Sequence, residues 1–114
     1  MANDRVTVFN PTAYSSNHIS EDFENYDWKG VHLIADVTVA TSGTVTFYLE
    51  GKADADTYYP IGDSGAITAS GATVVRVYPG LASPNINDVL PPIWRVRAVN
   101  AGEFEYGVYA ELVD

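Results

Sequence analysis

Four groups of residues in this chain have types and spacings that chemistry could use. Gly62-Asp63-Ser64-Gly65 sets a serine between glycines, the setting of a nucleophile on a tight turn. Such a serine needs a base within hydrogen-bond reach and a third group to orient that base, and neither His18 nor His32 lies in a context that supplies them. Asp54 and Asp56, two positions apart, offer oxygen ligands of the kind calcium takes, but the further ligands and closing glutamate of a calcium loop do not follow. The histidines have no cysteine or histidine companions at zinc-ligand spacing. Glu103 and Glu105 share one strand face, without the cleft that glycoside hydrolysis needs to separate two carboxylates and raise one pKa. These residues predict no catalytic apparatus, no metal site and no cofactor, so the chain reads as a non-enzyme.

A chemistry of contact surfaces fits the aromatic residues and arginines better. Tyr58, Tyr59, Tyr78, Arg76 and Arg95 are of the types enriched at protein interfaces, because they offer large contact area with a polar tip. Tyr14, Phe23, Tyr26 and Trp28 are interspersed with Glu21, Asp22, Glu24 and Asp27 over residues 12–30, a stretch with neither strand nor helix period. It predicts an irregular acidic-aromatic N-terminal arm that covers a sheet edge or reaches a neighbouring subunit. These nine aromatic and arginine residues form the candidate interface.

The elements that must position them are strands. Val31, Leu33, Ala35, Val37 and Val39 alternate with more polar residues, and after Thr41-Ser42-Gly43 the alternation resumes at Val45, Phe47 and Leu49. A three-residue hairpin loop ending in Gly43 predicts Val39 opposite Val45, Val37 opposite Phe47 and Ala35 opposite Leu49. Ile34, apolar on the other face, implies that this face is partly covered. A second pair repeats the pattern around Asn100-Ala101-Gly102 and predicts Val96 opposite Tyr106, Trp94 opposite Val108 and Arg97 opposite Glu105. Ala69-Ser70-Gly71 has the same form between residues 65–68 and 73–78. Residues 5–9 read as a first strand ended by Asn10-Pro11, residues 57–61 as an edge strand because of Pro60, and residues 81–92 as a loop.

Seven or eight short strands without a useful helix predict an all-β fold, an antiparallel β-sandwich of Ig-like or jelly-roll type. Residues 30–114 form its core, residues 1–29 a first strand plus the arm, and the whole chain of 114 residues one domain. Trp94, Phe47, Leu33, Leu49, Val37, Val96, Tyr106 and Val108 are the expected core. Fifteen acidic against six basic residues give a net charge of −9, which repels phosphate backbones and anionic lipid, so neither nucleic acid nor a membrane is an expected partner. The absence of cysteine fits folding in a reducing cytoplasm, and no stretch reads as a signal peptide or bilayer span.

Several segments together resemble a known family. Gly30-Val31-His32-Leu33-Ile34-Ala35-Asp36-Val37-Thr38, Leu49-Glu50-Gly51-Lys52, Tyr58-Tyr59, Ala66-Ile67-Thr68, Val75-Arg76-Val77-Tyr78-Pro79-Gly80 and Trp94-Arg95-Val96-Arg97 are similar to small virion proteins of tailed bacteriophages, over roughly residues 30–114. The resemblance implies a β-sandwich that binds the outer surface of the capsid as a decoration or cement protein. The expected partner is the major capsid protein, with the chain folding in the host cytoplasm and docking as a homotrimer. The alternatives are a minor tail or head-tail junction protein and, in a different class, a carbohydrate-binding module using Tyr58, Tyr59 and Trp28.

Overall fold

A computed structural model describes residues 4–114 and forms nine strands among them: β1 (Asp4–Tyr14), β2 (His18–Ile19), β3 (Phe23–Glu24), β4 (Gly30–Ser42), β5 (Val45–Asp54), β6 (Thr57–Asp63), β7 (Gly71–Val77), β8 (Ile93–Asn100) and β9 (Glu103–Val113). They make two antiparallel sheets packed face to face. The first has the order β1-β9-β4-β7 and the second β2-β8-β5-β6, with β3 also paired to β8. The fold is an all-β sandwich, as the alternation predicts.

Inward-facing residues of both sheets fill the space between them. Trp94, Tyr106, Phe47, Leu33, Leu49, Val37, Val96 and Val108 are all fully buried. Ile34, on the outer face of the first sheet, is half-buried between Val74 and Tyr109 on the neighbouring strands.

The strand pairing departs from the local hairpins that the sequence suggests. β4 and β5 are not partners: β4 lies in the first sheet between β9 and β7, and β5 in the second between β8 and β6. Val37 pairs with Tyr106 and Gly71, while Phe47 pairs with Ala98. β8 and β9 likewise sit in opposite sheets, so Trp94 faces Gly51 and Phe23 in its own sheet rather than Val108. The stretch around Ile67 bridges Val45, and β7 pairs with β4. Residues on the inner faces keep the same parity whether two strands adjoin in one sheet or face each other across the core, so alternation cannot separate a hairpin from a crossover. Among the described residues β5 and β6 form a hairpin between consecutive strands, closed at Asp54 and Thr57.

The two crossovers, β4 to β5 and β8 to β9, pack against each other. A Cβ on Gly43 (φ +77°) would collide with the Ala101 carbonyl oxygen, and one on Gly102 with the Ser42 carbonyl oxygen. Glycine is required at both turns because two backbones touch there, and Gly43 also needs its left-handed conformation.

The N-terminal segment is built into both sheets, which corrects its reading as an irregular arm. β1 does not stop at Asn10-Pro11; its register with β9 skips between Phe9 and Thr12, a bulge that admits the proline on an edge strand. The chain then crosses to the second sheet, where β2 and β3 line the free edge of β8. Between and beside them, side chains replace missing ladder partners: Val96 N–H donates to Ser20 Oγ at 2.9 Å and Asn100 N–H to Asn17 Oδ1 at 2.7 Å.

Candidate functional site

The outer face of the second sheet carries a connected network of charged and aromatic side chains. β8 alternates Trp94, Val96 and Ala98 inward with Arg95 and Arg97 outward, and β5 alternates Phe47 and Leu49 inward with Tyr48, Glu50 and Lys52 outward. The register sets Glu50 beside Arg95 and Tyr48 beside Arg97, and on the far side β6 sets Tyr58 beside Lys52.

Glu50 is the hub. Its carboxylate accepts Arg95 Nε–H on Oε1 at 2.9 Å and Arg97 Nε–H on Oε2 at 3.1 Å. With 7% of its surface exposed, it is the buried charged residue among those described, and two guanidiniums compensate the desolvation of one carboxylate. Each guanidinium also lies over a tyrosine ring: Arg95 is 3.4 Å from the centroid of Tyr58, and Arg97 4.4 Å from that of Tyr48. The Tyr58 hydroxyl donates to Asp22 at 2.9 Å, and Lys52 Nζ donates to the same carboxylate at 2.9 Å. The Lys52 hydrogen bond holds the Asp22 carboxyl below its ordinary range, and Asp22 in turn raises Lys52. Asp22 belongs to the N-terminal segment, so that segment is tied across β8 to the β5–β6 pair.

Chemically this is a stiff, mixed-charge face. Each arginine spends its Nε on Glu50 and leaves its Nη groups as donors. The tyrosines present their rings in fixed positions, and the rotamer entropy of these long side chains is already lost before any partner arrives.

Of the nine residues expected at an interface, the structure brings Tyr58 and Arg95 together here. Tyr14, Phe23 and Trp28 pack against the core instead: Tyr14 stacks on Tyr106 and His18 with centroids at 4.5 and 4.4 Å, and Phe23 stacks on Trp94 at 4.7 Å. Tyr78 covers Gly30 and donates its hydroxyl to the Asp114 carbonyl at 3.2 Å. Tyr59 follows Tyr58 on β6 and so points to the opposite side, over Gly51 and beside Pro91. Tyr58, Tyr59 and Trp28 therefore make no common stacking platform. Tyr26 is 81% exposed on the turn after β3, and Arg76 is exposed on β7.

Tyr48, Glu50, Lys52, Arg97 and Asp22 belong to the site and escaped the sequence reading. The hairpin register predicts Glu105 opposite Arg97, whereas its partner is Glu50, reached because β8 pairs with β5. The available signal was outward parity: Glu50 on one strand and Arg95 and Arg97 on another are opposite charges on outer faces.

Of the residues suggestive of catalysis, Asp63, Ser64 and Asp54 bond to the backbone. Ser64 Oγ accepts the Phe47 N–H at 3.0 Å and donates to the Gly65 carbonyl, while Asp63 accepts the Gly65 N–H. Asp54 accepts the Ala55 N–H in the β5–β6 turn. His18 sets Nδ1 against the Ser16 carbonyl at 3.0 Å and Nε2 against the Tyr106 hydroxyl at 3.3 Å. Glu103 and Glu105 line a shallow open groove with Tyr14 and Val39 at the end of the first sheet.

No family model, curated protein or solved structure matches this chain.

Proposed function

We propose that the chain is a bacteriophage structural protein that decorates and stabilises the capsid shell by multivalent binding to the major capsid protein, docking on the outer surface as trimers. The observation that carries this reading is the locked outer face of β5, β6 and β8. Tyrosine and arginine dominate binding hot spots, and here they are fixed before docking, which lowers the ordering cost of a contact. Attachment of one oligomer to several shell subunits then raises avidity through effective concentration without any single contact being large. Nothing in this role asks for bond chemistry.

The strand order supports the jelly-roll form of the sandwich. With β2 and β3 taken as one interrupted strand, two sheets of four in the order β1-β9-β4-β7 and β2-β8-β5-β6 give two interlocked Greek keys, an architecture used among others by viral shell domains. Fold alone does not fix function, so the segments similar to tailed-phage virion proteins supply the choice of partner.

The test is binding of purified protein to expanded, empty capsids of its own phage, with Arg97→Glu as the probe of the docking face. The wild type is expected to saturate sites across the shell and the variant to bind at least about tenfold more weakly. Absence of wild-type binding overturns the proposal, and a copy number per virion suited to a single ring moves the protein to the tail or head-tail junction.

A further inference from the structure

Three of the four arginines in the sequence are held by the same device, a tyrosine ring beneath the guanidinium and a glutamate beside it. Arg95 lies over Tyr58 and bonds Glu50, and Arg97 lies over Tyr48 and bonds the same carboxylate. Arg5 lies 5.7 Å from the Tyr109 centroid with its Nη2 3.4 Å from Glu111. A fourth ring and carboxylate stand ready in the same way: the Tyr26 hydroxyl donates to Glu24 Oε2 at 2.9 Å, which pins an 81% exposed ring beside a negative charge. Among the described residues no cation lies within 4.0 Å of Glu24, and the remaining arginine, Arg76, has no carboxylate within that distance.

We propose that this unfilled Tyr26–Glu24 pair receives Arg76 of a second copy of the chain. The site is rigid enough to act as a socket. Asn25, between its two residues and 8% exposed, donates from Nδ2 to the Trp28 carbonyl at 2.8 Å and the Leu90 carbonyl at 3.1 Å, and accepts the Trp28 N–H on Oδ1 at 2.9 Å. These bonds clamp the Tyr26 turn onto the 86–92 loop. The occupant follows from charge. Arginine is preferred over lysine above an aromatic face because its planar, weakly hydrated guanidinium stacks while still donating to a carboxylate. Arg76 is exposed on β7, with its backbone carbonyl tied to Ile86 N–H at 2.9 Å.

Glu24 lies on β3 beside β8 in the second sheet and Arg76 on β7 at an edge of the first, so the contact is heterologous and gives a ring where its rotation closes and an open filament where it does not. It rests on the self-association in the reading above, not on the capsid as partner.

The experiment is sedimentation velocity over a concentration series for the full chain, for Glu24→Arg, for Arg76→Glu, for Tyr26→Ala and for the double exchange Glu24→Arg/Arg76→Glu. All the altered side chains are exposed, and unchanged thermal unfolding confirms that each variant folds. Each single change is expected to weaken self-association about tenfold or more, and the double exchange to restore it. A wild type that stays monomeric throughout overturns this contact and the trimer together, leaving capsid binding to be judged by its own assay. An oligomer indifferent to the single changes, or not rescued by the double exchange, overturns this contact alone.

Discussion

Replacing Glu50 by glutamine tests whether the outer face of the second sheet is a locked structure or a set of incidental contacts. Glutamine keeps the shape and one acceptor oxygen but removes the charge that two guanidiniums share. Arg95, with 16% of its side chain exposed, is the costly half: loss of a charge-assisted bond to so covered a group costs about 1.5–3 kcal/mol. Arg97, with 38% of its side chain exposed, rehydrates, and its half is worth about 0.2–1 kcal/mol. The sum, about 2–4 kcal/mol, lies near the lower edge of what breaking a buried pair costs. At this chain length it corresponds to a fall in Tm of about 10 °C. Urea unfolding followed by the fluorescence of the buried Trp94 measures it as a shift in midpoint at constant slope. In an Arg95→Met/Arg97→Met background the same substitution should be neutral or stabilising, since the carboxylate is then buried without a cation. A loss below about 0.5 kcal/mol, or an equal loss with and without the arginines, would refute the assignment of Glu50 as the hub.

Other expectations follow from the core and the turns. Trp94→Ala should cost about 3–5 kcal/mol in urea unfolding, because the ring is fully buried and its removal also strips Phe23 of its stacking partner. Gly102→Ala should destabilise by at least about 2 kcal/mol, as its Cβ runs into the Ser42 carbonyl oxygen of the other crossover and one of the two backbones must shift; a loss of a few tenths would mean the two turns do not touch in solution. Burial raises the Tyr106 hydroxyl above its ordinary pKa of 10.0, and Tyr14 in the same stack is raised as well. The unfolded chain therefore gives up these protons first, so stability is complete below about pH 10 and falls as pH rises beyond it. Tyr106→Phe should flatten that alkaline decline, seen as urea midpoints that change less between about pH 9 and pH 11 than in the wild type.

By itself the sequence determined which side of each strand is wet. Outside the turns, odd positions from Val31 to Val39 and from Val45 to Leu49 and even positions from Trp94 to Ala98 and from Phe104 to Leu112 are apolar, and all but Val39 are buried in the core, because a period of two ties hydrophobicity to one face of a strand. It also placed the turns at Gly43 and Gly102 and the edge strand with Pro60. The candidate site was legible only as Tyr58 and Arg95, from residue type. Glu50 acquired its meaning when the fold set it beside both arginines, and the acidic-aromatic segment acquired strands only because β8 offers a free edge for β2 and β3 to complete.

Tertiary structure decided who the neighbours are. Val37 and Phe47 look inward from opposite walls, and so do Val96 and Tyr106, although the chain between each pair is short enough for a hairpin. Alternation records whether a residue faces in or out and carries no mark of which strand lies beside it. That choice rests on contacts distant in sequence, namely the fit of two walls around Trp94, Phe47 and Tyr106 and the back-to-back packing of the two glycine crossovers.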